Sequence, residues 1–362
     1  MDPSLYSHPE FAERAKLFIE HYGLETEIVC SAEKMVLSTP KNERVCRFCN
    51  RKHPEVKFRH DAHIIPESLG NHYLISDGEC DTCNKALGKY DDQLSHFLGV
   101  SRTLNKTKGK EGVPTYKAPD KNVKAVKTEF YGIPDTIVIS RENLLDKSFS
   151  FDPVTGTGTL TCKKPSYKPL LVYKSVLKMA LACLNAKHLP YYKFAIEYLT
   201  TTNLDKDVKG ASKLYSYNLP FGMGWEVPFA AIYKKKHAQN PIPTHIFMIH
   251  FQNAIYQIFI PLHQEDIKLL NNKTIPIYWS PPFFASPKDA FETPIHPMDH
   301  DLSSTELQKG GEDTITFKLH PDSLKELASV NLDTGKIIKA SEWPTTISKI
   351  ILVKPGTTFN FL

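Results

Sequence analysis

The chain has 362 residues, 41% of them hydrophobic, and 45 basic against 40 acidic side chains give it a formal net charge of +5. That length sustains a small and a large cored domain, no apolar run approaches a membrane span, and Met-Asp-Pro-Ser-Leu-Tyr-Ser-His at the N-terminus lacks the basic and apolar regions of a secretory signal. The mildly basic balance permits nucleic-acid binding without demanding it, and seven cysteines, four of them in Cys-x-x-Cys pairs, read as metal ligands in a reducing cytoplasm rather than as disulfides.

Residues 9–24 carry the pattern of an amphipathic helix ending at Gly23, within an N-terminal element spanning 1–30. Cys46 and Cys49 then form a first knuckle, Cys-Arg-Phe-Cys, and Cys80 and Cys83 a second, Cys-Asp-Thr-Cys. Each knuckle puts two sulfurs on one tight turn, so together they can surround one tetrahedral zinc. Between them, Val56–Phe58 and Ala62–Ile65 read as a first strand and its turn, Gly70-Asn71 as a loop and Tyr73–Ile75 as a return strand. Asp81 reads as a helix N-cap, followed by Ala86, Leu87, Tyr90, Leu94, Phe97 and Leu98 on one helical face.

The run Ala-His-Ile-Ile-Pro, then Gly-Asn, then Cys-Asp-Thr-Cys-Asn resembles the zinc-knuckle branch of the HNH endonucleases over about residues 44–105. The resemblance implies a ββα-metal fold held by structural Zn²⁺, with the signature residues falling on His63, Asn71 and Asn84. It implies His63 as general base for phosphodiester hydrolysis, since a neutral imidazole takes a proton from water near pH 7. Asn84 would ligate a catalytic Mg²⁺ or Mn²⁺, and Asn71 would organise the loop that orients His63. Many relatives place a metal-binding side chain just before the base, where this chain has Ala62. Residues two apart on a strand share a face, so Asp61 is the expected substitute ligand, with His60 and Glu67 as lesser candidates.

Arg102, Lys106, Lys108 and Lys110 follow the motif and could neutralise phosphates of a bound DNA strand, although such a run also fits a solvated loop. The expected organisation is an HNH domain over 40–112, a basic linker over 113–128 and a larger mixed α+β domain over 129–362 for recognition, regulation or partner binding. Within the last, a hairpin is expected around Phe149–Cys162, helices over Leu170–Leu184 and Pro190–Leu199, and strands at His245–Phe251, Ala254–Ile260, Thr314–Leu319 and Ile347–Val353. His296-Pro-Met-Asp-His300-Asp301 reads as a loop because of its prolines. By analogy with fused nuclease–sensor proteins, the expected role is a bacterial anti-phage or anti-plasmid effector, activated by a partner such as a short Argonaute. The alternatives are a non-catalytic, zinc-stabilised nucleic-acid binder and a protein-interaction module.

Overall fold

A computed structural model describes residues 6–30, 33, 37, 39–130, 132–201, 210–220, 225–267, 276–284, 295–318, 329–330, 337–338, 343 and 347–352. It is a mixed α+β structure with helices α1 (Ala12–His21), α2 (Asp81–Leu98), α3 (Ser101–Leu104), α4 (Pro169–Cys183) and α5 (Lys193–Thr200). The chain divides into two units that are not sequential. One comprises 1–95, 107–110 and 167–307, and the other 96–106, 111–166 and 308–362. The sequential division at 112 and 129 missed this because the pairing is long-range, and the segment read as a basic linker holds the strand Tyr116–Lys117 and most of Val123–Phe130.

The first unit is built on a six-stranded antiparallel sheet ordered His296–Asp301, Lys213–Asn218, Ala254–Phe259, His245–Gln252, Trp225–Lys235 and Tyr22–Val29. Its inner strands His245–Gln252 and Ala254–Phe259 are buried at every position, which is why they read as near-continuous apolar runs. The amphipathic N-terminal helix ends two residues before Gly23, because Tyr22–Val29 pairs with Trp225–Lys235 as an edge strand. Cross-strand pairing outcompetes the helical pattern at that end. His296–Asp301 is also a strand rather than a loop. It lies at the opposite edge, where a proline without an N–H is tolerated, and Pro297 faces Tyr217 in the register.

Helix α4 is buried at every residue except Leu171. The expected Pro190–Leu199 helix is split into a 3-10 stretch, Ala186–Tyr192, and α5. Among the described residues the second unit contains two larger sheets besides the two-stranded pair of Ser329–Val330 with Ile337–Ile338. One orders Lys349–Leu352, Ile133–Arg141, Val123–Phe130 and Tyr116–Lys117, and the other Glu312–Lys318, Thr157–Lys163 and Phe149–Asp152. They share a core of Val123, Ile137, Ile139, Phe149, Leu160 and Trp343. The Phe149–Cys162 hairpin and the strand near 314 thus belong to one sheet, and the strand near 350 to the other; Leu319 and Val353 lie outside the described residues. No helix among the described residues is long and apolar enough to cross a membrane.

Candidate active site and cysteine cluster

The cysteine cluster forms because each knuckle closes on its own backbone. In the first, the Asn50 N–H donates to the Cys46 carbonyl at 2.7 Å and the Cys46 N–H to the Arg51 carbonyl at 2.9 Å. Asn50 sits at φ 54°, a left-handed position that asparagine accepts more readily than most residues. In the second, Cys80 lies just ahead of α2, and the Asn84 N–H reaches the Cys80 carbonyl at 2.9 Å. The Arg47 N–H donates to the Gly78 carbonyl at 2.8 Å and joins the two knuckles.

The sulfurs of Cys46, Cys49, Cys80 and Cys83 all lie within 4.8 Å of one another, and those of Cys49 and Cys80 are 3.8 Å apart. The Cys83 thiol and backbone N–H groups at Phe48, Cys49 and Cys80 hold the Cys46 thiol down to about 4, whereas burial and neighbouring sulfur push Cys80 up to about 11. Four crowded sulfurs, one already favoured as thiolate, form a donor set that fits a tetrahedral Zn²⁺. The remaining cysteines, Cys30, Cys162 and Cys183, are buried.

Between the knuckles the secondary structure is shorter than expected. The paired strands are Ala62–His63 and Ile75–Ser76, with His63 opposite Ile75. Val56 and Phe58 are buried core residues outside any strand, while Tyr73 is 40% exposed and precedes the return strand. Asp81 is the first residue of α2 rather than its cap. Its carboxylate accepts from the N–H groups of Arg59, at 2.8 Å, and His60, at 3.1 Å, and ties the approach to the first strand onto the helix start. Ala86 is exposed, so the buried face of α2 is formed by Leu87, Tyr90, Leu94, Phe97 and Leu98.

Strand alternation sets the faces. Ala62 is buried in the core, whereas Asp61 is exposed and His63 half-buried on the opposite side. His63 Nε2 lies 3.7 Å from a Glu67 oxygen, beyond hydrogen-bond range, and Nδ1 is buried without a partner. Burial holds the His63 imidazole below its ordinary value, against the opposing pull of the Glu67 and Asp61 charges. The ring is therefore neutral at physiological pH, with neither nitrogen in a hydrogen bond among the described residues.

Asn71 is fully buried. Its amide donates to the carbonyls of Ile65, at 2.6 Å, and Leu74, at 2.9 Å, while its oxygen accepts from the N–H groups of Tyr73, at 3.2 Å, and Leu74, at 2.9 Å. One side chain thus closes the loop from the His63 strand to its partner. Gly70 enters that loop at φ 99°, where a side chain would be strained. Its Cα faces Thr107, whose methyl lies 3.7 Å from where a Cβ would stand, so the segment carrying exposed Lys108 and Lys110 runs beside the Asn71 loop. Asn84 occupies the first turn of α2, half-buried. Arg102 and Lys106 belong to the second unit and are half-buried.

The sequence reading missed a buried charge cluster beneath this segment. Lys178 of α4 lies 3.5 Å from Glu79 and 3.6 Å from Asp91, and Asp91 also accepts from the Ser175 hydroxyl at 2.7 Å. Burial disfavours the Lys178 charge, but the two carboxylates outweigh it and hold its pKa above the ordinary lysine value. Burial pushes the Glu79 carboxyl up to about 7. Two lysines four apart in an otherwise apolar helix, Lys174 and Lys178, were the available signal.

Residues 46–97 match the family model of the HNH endonucleases, which places this segment in the HNH superfamily. No curated protein and no solved structure matches the chain.

Proposed function

We propose that the 46–97 segment makes this protein a metal-dependent endonuclease that hydrolyses DNA, with His63 as general base. The observation that carries the reading is an imidazole kept neutral by burial, with Nδ1 lacking a hydrogen-bond partner among the described residues and Nε2 3.7 Å from Glu67, inside a segment that matches the HNH family. His63 takes a proton from the attacking water, and its lowered pKa keeps it competent to do so at neutral pH. Asn71 holds the loop behind it and acts as a positioning residue.

Asp61 and Asn84 would hold Mg²⁺ or Mn²⁺. Both offer oxygen donors of the type a hard cation takes, one an exposed carboxylate on the His63 face and the other a half-buried amide at the start of α2. Such a cation supplies charge stabilisation to the phosphate and the departing oxygen. Four thiolates would hold Zn²⁺ for stability rather than chemistry. Exposed Lys108 and Lys110 would neutralise phosphates, and Arg102 and Lys106 extend the same basic run in sequence. By analogy, the reading extends to a bacterial defence effector whose remaining α+β structure receives a partner such as a short Argonaute.

The test is cleavage of supercoiled plasmid with Mg²⁺ or Mn²⁺ by the wild type and by His63→Ala. Loss of cutting in a variant with unchanged zinc content and fold supports the reading. Equal cutting by both removes His63 from the mechanism. Salt-sensitive DNA retention without cleavage under any cation favours the non-catalytic binder.

A further inference from the structure

The six-stranded sheet brings together a second group of metal-type donors, remote in sequence from the cysteine knuckles. Glu25 lies on the edge strand Tyr22–Val29, His245 opens the buried strand His245–Gln252, and His188 sits in the 3-10 stretch after α4. The donor atoms of these three residues lie within 4.8 Å of one another. His188 Nε2 is 2.6 Å from one Glu25 oxygen, and His245 Nε2 is 3.0 Å from the other. The histidine side chains are 8% and 0% exposed, and that of Glu25 is 14% exposed.

We propose that Glu25, His188 and His245 form a binding site for a first-row divalent cation of the Zn²⁺ or Co²⁺ class, separate from the cysteine cluster and independent of the nuclease reading. Two imidazoles and a carboxylate make a mixed N/O donor set of the kind such ions prefer. Zinc bonds of about 2.0–2.2 Å place tetrahedral donors about 3.4 Å apart. Donors already gathered within 4.8 Å reach that spacing by adjusting side-chain ends.

A second observation separates this site from a simple hydrogen-bond knot. The buried Tyr192 hydroxyl lies 2.8 Å from His245 Nδ1, on the ring edge away from Glu25. A partner there holds the ring orientation and leaves Nε2 to the ion, as partners outside the ligand set do for metal-bound histidines. The Tyr192 hydroxyl can accept from Nδ1–H when Nε2 ligates, so the contact survives the change. His188 has no such backing hydrogen bond among the described residues and is placed by its 3-10 stretch, whose cap, Asn185, accepts from the Lys187 N–H at 3.1 Å.

The opposing group is Lys187, whose ammonium stands 3.3 Å from Glu25. Its side chain is 62% exposed, so it can swing into water and leave the carboxylate to the cation. The solvent side of Glu25 is then the open fourth position, for water or a small anionic ligand. An ion there clasps the N-terminal edge strand to the middle of the sheet.

The experiment is Co²⁺ titration of the full chain, followed by absorption, with bound metal measured after dialysis. Cobalt at the cysteine cluster gives intense thiolate charge-transfer bands, and cobalt at Glu25, His188 and His245 gives only weak ligand-field bands. The expected result is a second bound equivalent that adds no thiolate absorption. Glu25→Gln and His188→Gln each remove it, Cys83→Ser spares it, and Tyr192→Phe weakens it by roughly 10- to 100-fold. A wild type that binds cobalt only with thiolate bands overturns the proposal. So does a folded Glu25→Gln protein that keeps the second equivalent. Should the Gln variants not fold, the wild-type and Cys83→Ser titrations still decide, because they leave the Glu25 site intact.

Discussion

The segment from Cys46 to α2 and the six-stranded sheet solve the same stability problem by different means. The sheet holds itself by burial, with every side chain of two adjacent strands inside and α4 almost entirely enclosed. The knuckle segment has paired strands of two residues each. It depends on a sulfur cluster, the Asn71 clamp and the Asp81 tether in place of a large apolar core. The stiff sheet needs no ion for its core, whereas the site-bearing segment trades apolar bulk for ligands and polar clamps, which leaves its surface for chemistry.

The largest expected effect separates the two directly. Structural zinc contributes roughly 10–16 kcal/mol of apparent binding free energy in small zinc folds. Stripping the metal with a chelator, or Cys80→Ser, should abolish hydrogen-exchange protection around Ile64, Leu69 and Leu74 and leave the amides of His245–Phe259 protected. Simultaneous loss in both regions would break the comparison. Next in size, His63→Ala should lower cleavage by about 10²- to 10⁴-fold, the usual contribution of a general base, with protection unchanged in either region.

How much of each region was legible follows from the same contrast. The knuckles could be read because the segment is local and cysteine pairs have few other uses at that spacing, and the Asn71 loop because Gly-Asn announces a turn. The Phe149–Lys163 hairpin was legible for the same reason, with Gly156 at φ 69° closing its turn. The sheet order was not. Tyr22–Val29 looks like the tail of a helix until Trp225–Lys235 is beside it. His296–Asp301 looks like a loop until the sheet edge makes Pro297 harmless. Glu79 and Lys178 are far apart in sequence, and no local pattern announces their meeting.

That buried cluster ties Glu79 and α2 to α4, so it sharpens the comparison. Lys178→Met leaves the Glu79 and Asp91 carboxylates buried without their cation, a change that typically costs about 3–5 kcal/mol. The expected result is a lower melting temperature with protection lost in α2 and α4 together. A loss confined to one helix would show that the cluster does not couple them. Asn71→Ala is smaller and more local. It orphans buried carbonyls and N–H groups of one loop at about 1–3 kcal/mol. Cleavage should fall while the zinc content stays normal.

The smallest expected effect concerns the other buried lysine of α4, one turn before Lys178. Lys174 donates to the carbonyls of Tyr198, at 2.8 Å, and Thr201, at 3.0 Å, and its ammonium lies 4.7 Å from the centre of the Tyr198 ring. No carboxylate among the described residues pairs with it, and burial, with a minor contribution from the Lys89 charge, brings its pKa down to about 8. The folded state therefore holds this proton less tightly than the unfolded chain, whose lysine titrates near 10.5. Stability from this group is complete only above the unfolded value and is lost as pH falls through the folded one. Wild-type stability should thus gain a rising component between about pH 8 and 10.5, absent from Lys174→Met. At neutral pH the substitution removes a desolvated charge but strands the two carbonyls, so the opposing changes nearly cancel, within about 1–2 kcal/mol. Chemical denaturation of both proteins across that pH range checks the point. Parallel curves would mean that the Lys174 charge is as comfortable inside as the Lys178 charge, and that carbonyls alone can do what two carboxylates do one turn away.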